Sequence, residues 1–402
     1  MRQNQKKDIL FTCQFFYPEY VTSAALAFDT AKALKDAGYT VDALCGYPKE
    51  YCEAKTCVGK KENVDGINIK RVRYLQLSRS FPAGRIINYI SFIMSMAMHF
   101  PMMAKYKVIV VYSSPPILPL LAAMANSFFG AKLVFVCHDV YPEIAIRSGV
   151  IGEKSCIARL MNHINKYVFK RAERVVALSS DMKLFLEENR NIRRGEVAVI
   201  PNWHKDLFEP SETVPTDKDK FCVAYLGNMG TCQDMDTIFS AMQRLAENKH
   251  ICFMFAGHGN KLDEARSTAE KYGNAEVCGF LRGEEYMRKL AESDCFVVSL
   301  EKNIVGLGVP SKTYSYMMMG KPIIAIMEDC DITEDLKHYK CGIKVENGEN
   351  APNNSKTFCR AENPDKCYEM GQGSRLAFSE KYTQAAAAKK YVGMMSEIFD
   401  LD

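Results

Sequence analysis

The sequence has no C-x-x-C pair, although it carries 15 cysteines. An odd number without that spacing offers neither a disulfide framework nor a zinc-ligand pattern. No apolar leader is expected either: MRQNQKKDILFTCQFF starts basic and runs straight into a strand pattern. The cysteines are therefore expected to be reduced, mostly buried small hydrophobes in a cytoplasmic protein. Neither sign of charge is in large excess. A net charge of +4, with Lys and Arg spread through the chain, gives no argument for nucleic acid as a partner. The glycine pair at 227 and 230 falls short of a full G-x-G-x-x-G, so there is no dinucleotide fingerprint.

What is present is a chain of 402 residues, 48% hydrophobic and 25% charged, the size and balance of a two-domain soluble protein. Each half offers six apolar runs of strand length. The first six are 8–16, 40–46, 107–113, 132–138, 174–179 and 196–202. The second six are 221–228, 252–259, 275–280, 295–300, 322–327 and 341–346. Most are continuous rather than alternating, as expected for parallel strands buried on both faces. Helix-period segments such as Ser23–Lys35 and Asp234–Glu247 lie between them, so both halves read as doubly wound α/β layers. The polar, Pro-bearing stretch 203–219 marks the boundary, and long helices are expected from Asn363 to Phe399.

Ligands of open parallel sheets sit outside the carboxyl ends of the strands. The loops there carry the candidate chemistry. PSKTYSYMMMGKPIIA (310–325) reads as a short polar opening, a helix and a strand. Ser311 and Thr313 are N-cap types, so that helix tip would offer unpaired amides and the positive dipole end to a phosphate, with Lys312 adding charge. Gly227, Asn228 and Gly230 follow the first strand of the second half, and Gly257-His258-Gly259 the second. Each is either a close approach to a ligand or a tight turn. Gly279-Phe280-Leu281 follows the third, where backbone groups could read a base edge. His138, Asp139 and Glu143 leave a buried strand of the first half, and charged groups there need a partner or a task. Otherwise Asp139 caps a turn and His138 is a core histidine. Tyr17 and Glu19, after the first strand, suit a sugar or simple packing.

Residues 86–104 form an apolar segment with one polar stripe, Asn88, Ser91, Ser95 and His99. Pro101 and the following strand argue against spanning a bilayer. With Arg79 and Arg85 before it and Lys105 and Lys107 after it, the segment suits either a helix at a membrane surface or a thick core helix.

Together SSPPILPLLAA (113–123), HDVYPE (138–143), IPNW (200–203), AYLGNMGTCQ (224–233) and VPSKTYSYMMMGKPIIA (309–325) resemble the GT-B glycosyltransferases. They are most similar to the family 4 enzymes of bacterial surface-polysaccharide assembly, in the branch of the colanic-acid and N-acetyl-L-fucosamine transferases. The resemblance implies two Rossmann-like domains facing across a cleft: acceptor-binding 1–205, nucleotide-sugar-binding 206–380, and a helix at 381–402 crossing back to the first. It implies retention of anomeric configuration, no metal and no cofactor, with a nucleoside diphosphate-sugar donor, UDP-linked, and a lipid-linked or glycan acceptor. Lys312, His138, Asp139 and Glu143 would be catalytic. Gly227, Asn228, Gly230, Gln233, Gly257, His258, Phe280, Leu281, Pro310, Ser311, Thr313 and Ser315 would hold the donor, and Tyr17, Glu19 and Thr22 the acceptor. Two glutamates common in family 4 are replaced here by Leu307 and Ser315. The usual Arg and Lys of the phosphate site are absent as well, with Asn228-Met229 and Gln233 in that region. A sugar-nucleotide 2-epimerase and a non-catalytic nucleotide-sugar-binding subunit are the alternative readings.

Overall fold

Alternating apolar runs and amphipathic helices build two parallel sheets. The computed structural model describes residues 6–48, 52, 58–77, 82–190, 192, 195–208, 220–348 and 364–400. The chain divides into two compact units. The first comprises Met1–Ile146, Ile151–Pro201 and Ala387–Asp402; the second comprises Arg147–Val150 and Asn202–Ala386.

The first unit has β1 (Lys7–Cys13), β2 (Val41–Gly46), β3 (Lys61–Val64), β4 (Ile67–Val72), β5 (Tyr106–Tyr112), β6 (Lys132–Val136), β7 (Ala172–Ala177) and β8 (Val197–Val199). Their order is β3-β4-β2-β1-β5-β6-β7-β8, parallel except for β3. Its helices are α1 (Thr22–Asp36), α2 (Pro82–Ala97), α3 (Leu118–Phe129), α4 (Glu143–Arg147), α5 (Cys156–Phe169) and α6 (Ser180–Arg190). Residues Ile9 to Cys13 of β1 and all of β2 are buried, which is why these strands read as unbroken apolar runs. The β3–β4 hairpin was not legible as an apolar run. In INIKRV polar residues interrupt the buried ones, and fully buried Arg71 is held by Glu62 at 2.6 Å and by the carbonyl of Tyr17 at 2.7 Å.

The second unit has β9 (Phe221–Asn228), β10 (Ile251–His258), β11 (Ala275–Cys278), β12 (Cys295–Ser299), β13 (Ile323–Ile326) and β14 (Gly342–Val345), ordered β11-β10-β9-β12-β13-β14. Its helices are α7 (Met235–Arg244), α8 (Leu262–Tyr272), α9 (Gly283–Glu292), α10 (Lys312–Met318), α11 (Asp331–His338) and α12 (Pro364–Ala377). A π-turn, Phe378–Tyr382, leads into α13 (Gln384–Asp400). From Ala387 this last helix belongs to the first unit. There Phe399 meets Tyr39 at 5.0 Å, and Lys132 Nζ donates to the carbonyl of Ile398 at 2.7 Å.

Chain winding reverses between β1 and β5 in one sheet and between β9 and β12 in the other, so each unit has one crevice at its strand carboxyl ends. The stretch 209–219 of the expected boundary, Asn363 and Arg79 lie outside the described residues, as does the side chain of Arg85. None of the thirteen described cysteines forms a disulfide with another. Six are buried, six half-buried and Cys156 exposed, so the expectation that most would be buried is corrected. Positions such as Cys222 and Cys252 sit where strands begin, at the rim of the sheet rather than in its centre.

Candidate functional site

The second unit gathers most of the expected donor residues into one pocket. It is lined by Leu226, Gly227 and Asn228 of β9, Ala256, Gly257 and His258 of β10, Phe280 and Leu281 after β11, Tyr286 of α9 and Lys312 of α10. At about 50 Å³ it falls short of the ~300–1,000 Å³ of a small-molecule site, so it is sized for one part of a donor.

The position of Lys312 is built from below. Tyr316, one turn on in α10, stacks on Phe296 of β12 at 4.2 Å. Its hydroxyl donates to the carbonyl of Leu226 at 3.0 Å and accepts from the amide of Leu226 at 2.8 Å, fastening α10 to β9. Lys312 therefore starts beside Gly227: a Cβ at that glycine would meet the lysine stem at 3.5 Å. The ammonium lies 4.6 Å from the Tyr286 ring centre and 3.5 Å from its hydroxyl. His258 packs edge-on against half-exposed Phe280 at 5.5 Å. Burial and then the charge of Lys312 hold its imidazole below the usual histidine value, so it is neutral at pH 7.

Two expectations need correction here. At the start of α10 the Thr313 amide is already spent. Ser311 is itself helical and makes no side-chain cap, and the Thr313 amide and hydroxyl both donate to the carbonyl of Pro310, at 3.1 and 2.8 Å. Thr313 is 0% exposed. Ser315 is also buried; its hydroxyl donates to the carbonyl of Lys312 and meets Tyr286 at 3.1 Å. Ser315 thereby links the backbone of Lys312 to the Tyr286 hydroxyl from behind, while Thr313 tightens the turn at Pro310. The physical reason is that the helix is short and sunk in the core, so these two hydroxyls bond to carbonyls at the helix's own start. Secondly, the side-chain oxygen of Gln233 is taken up by its own turn, accepting from the amide of Gly230 at 3.0 Å and from Asn228 Nδ2 at 3.4 Å. Gly257 and Gly259 have a structural cause: Cβ atoms there would lie 1.8 Å from the Gly227 carbonyl oxygen and 2.2 Å from that of Met229. Leu307, at a position where family 4 commonly has glutamate, is buried.

In the first unit, Ser113 at the end of β5 organises the loop after β6. Its hydroxyl accepts from the amides of His138 (3.0 Å) and Asp139 (3.2 Å). The two side chains then enter different surroundings. His138 packs edge-on against Tyr112 at 5.1 Å, whereas Asp139 borders a small cavity with Phe135, Cys137, Asn165 and Phe169. Burial pushes the His138 imidazole down to about 4 and the Asp139 carboxyl up to about 6. At neutral pH His138 is uncharged and Asp139 ionised at a cost. Glu143, expected at the reacting centre, is ion-paired with Arg190, whose guanidinium also donates to the carbonyl of Tyr141. This pair ties α4 to α6 and gives Glu143 a structural task. Of the expected acceptor residues, Tyr17 is exposed and stacks on Phe28 at 5.0 Å, Thr22 opens α1 exposed, and Glu19 is buried, accepting from the amide of Phe16 at 3.3 Å.

The raised Asp139 value has a testable sign. Its protonated form is favoured by folding, so its contribution to stability is highest at low pH and is lost as pH rises from about 4 to about 6. Asp139→Asn should therefore raise the melting temperature at pH 7.5 and leave it nearly unchanged at pH 4, as read by thermal unfolding at both values.

Tyr286 and Ser113 were missed by sequence reasoning. Ser113 lay inside a quoted motif, SSPPILPLLAA, at the end of a strand. Tyr286 lies within a charged helix and carried no signal. Among the described residues, no three His, Cys, Asp or Glu side chains gather as a metal would need.

Residues 24–203 match the family model of a glycosyl transferase 4-like domain, and residues 220–358 that of glycosyl transferases group 1. Each half of the chain thus matches a glycosyl transferase domain family. The chain is 32% identical over 226 residues to a probable glycosyltransferase, WbjE, of Pseudomonas aeruginosa, an alignment covering 54% of this chain and 56% of that one. The chain spans about half the length of the curated relatives it matches. Its fold is that of sucrose-phosphate synthase from Thermosynechococcus elongatus (TM-score 0.76, 14% identity, 98% and 100% of the two chains). It is also that of HepE from Anabaena in complex with UDP (TM-score 0.71, 15% identity, 97% and 100%). Both sheets and their carboxyl-end crevices thus follow the GT-B plan.

Proposed function

We propose that this chain transfers a sugar, with retention and without a metal, from a UDP-linked donor to a lipid-linked or glycan acceptor in bacterial surface-polysaccharide synthesis. The reading extends to the colanic-acid and N-acetyl-L-fucosamine transferase branch and to action at the cytoplasm. The observation that carries it is Lys312, fixed over Gly227 and Tyr286 at the carboxyl edge of the second sheet. Glycosyl transfer separates an oxocarbenium-like sugar from a departing diphosphate. A pre-positioned ammonium beside closely approachable backbone stabilises that charge as it develops. Tyr286 and the backbone at 227–228 and 257–258 would border the diphosphate. His138, neutral at pH 7, would accept a hydrogen bond from the attacking hydroxyl. HepE, which shares the fold, forms complexes with UDP and with UDP-glucose, which supports the choice of base.

A thermal-shift screen against UDP-, GDP-, ADP- and dTDP-sugars tests it. The UDP-sugar is expected to raise the melting temperature by mass action, with a gain of about 2.7 kcal/mol in stability at 100 times its Kd. Stabilisation by another nucleotide, or by none, overturns the donor assignment. Acceptor-independent conversion of the sugar-nucleotide overturns transfer itself.

A further inference from the structure

With His258 neutral at pH 7, Lys312 is the only charged side chain among the described residues that line the pocket of the second unit. It makes no ion pair among the described residues. A neutral group holds its ammonium instead: the Tyr286 hydroxyl stands at 3.5 Å and the ring centre at 4.6 Å. A carboxylate in that place would grip the ammonium more tightly but cancel its charge. A phenol holds it and leaves the full charge for an incoming anion. The two partners come from separate elements. Tyr286 stands on α9, where fully buried Leu290 lies one turn on and Lys289 reaches Glu276 of β11 at 3.0 and 3.1 Å. Lys312 stands on α10, which Tyr316 fastens to β9.

Counting donors fixes the direction of each hydrogen bond along this path. The Ser315 hydroxyl has one hydrogen, which goes to the carbonyl of Lys312 at 2.8 Å. In its 3.1 Å contact with Tyr286 the serine must therefore accept, so the phenol donates. That spends the one hydrogen of Tyr286. Its oxygen keeps only lone pairs for Lys312, and an ammonium can only donate. A closed path results: ammonium to phenol oxygen, phenol to serine hydroxyl, serine to the carbonyl of the same lysine. Ser315 is 2% exposed, so water does not compete for the far end of the path.

We propose that Tyr286 is the positioning residue of Lys312. One ammonium hydrogen is given to the phenol, and the others are left for the oxygens of the departing diphosphate. Ser315 keeps the phenol an acceptor, so Tyr286 does not donate to the diphosphate itself and acts only through the lysine. The flexible lysine stem is thus ordered before the donor arrives, which removes that ordering cost from the step in which charge develops. This role rests on the UDP-linked donor of the proposed function.

UDP carries the charged end of the departing group, so its affinity for the full chain, read by calorimetry, tests the coupling without an acceptor. Lys312→Met should weaken UDP by at least about 30-fold, as loss of a charged hydrogen-bond donor, and Tyr286→Phe, which keeps the ring, by about 5-fold. In Lys312→Met/Tyr286→Phe the second loss should vanish, leaving affinity within about 2-fold of Lys312→Met alone, whereas independent contacts would multiply to roughly 150-fold. Ser315→Ala should weaken UDP about 3-fold by itself and not at all in the Lys312→Met background. A tyrosine that merely packs, or that touches the ligand directly, would lose as much in either background. Losses that multiply, for Tyr286→Phe or for Ser315→Ala, therefore overturn the positioning role, as does an unchanged affinity in Tyr286→Phe. Wild-type protein that binds no UDP overturns the UDP reading and this role with it; multiplying losses in a protein that does bind UDP overturn this role alone.

Discussion

Lys312→Ala is expected to lower turnover by roughly 100-fold or more, the scale on which a key donor to a developing charge is lost. The fold should survive. The side chain is half-buried, and its recorded neighbours are Tyr286 and the bare backbone of Gly227, so truncation opens no core cavity. The fastening of α10 runs through Tyr316 and does not involve the lysine side chain. Lys312→Met keeps the stem packed on Gly227 and removes only the charge. It should be as slow as the alanine variant while matching wild-type stability. Single-turnover rates with the UDP-sugar check both, and wild-type-like turnover in either would remove Lys312 from the mechanism.

Gly257→Ala should be the most damaging small substitution in the second unit. Its Cβ would lie 1.8 Å from the carbonyl oxygen of Gly227 and 2.8 Å from the carbonyl carbon, at a residue whose φ is +146°. No side chain can yield there, because the obstacle is the backbone of the neighbouring strand in register. β9 and β10 must separate locally or the residue must leave its conformation, and the combined cost is about 3 kcal/mol or more. Gly273→Ala provides the control. It too has positive φ, +68°, but nothing within 4 Å of the added carbon, so only the left-handed backbone cost of about 1 kcal/mol applies. Urea unfolding of the two variants should separate them by at least 2 kcal/mol. Equal midpoints would show that β9 and β10 are not locked at this point. Because Gly257 and Gly227 both line the Lys312 pocket, loss of this register should also weaken donor binding.

The two-layer α/β plan was legible because strands buried on both faces must be apolar throughout. Runs such as KLVFV and CFVVS allow little else. The same logic brought the post-strand loops forward, and Gly227, Asn228, Gly257, His258, Phe280, Leu281 and Lys312 do share one pocket. Strand β4 escaped because a buried arginine satisfied by Glu62 and a carbonyl is indistinguishable, in sequence, from an exposed one. Glu143 likewise offered its charge to chemistry on paper, while its partner Arg190 is 47 residues away in the chain.

By itself the sequence determined which segments are buried and at which strand ends polar groups gather, since both follow from local apolar patterning and from the chemistry of short loops. Only the tertiary structure decided the direction in which each polar group is spent. It turned Thr313 inward onto Pro310 and Ser315 inward onto Lys312, divided His138 from Asp139, and reversed α2 so that its polar stripe serves the protein and its apolar face does not. Hydrogen-bond partners supplied from distant chain positions settle these orientations, and periodicity within a segment carries no information about them.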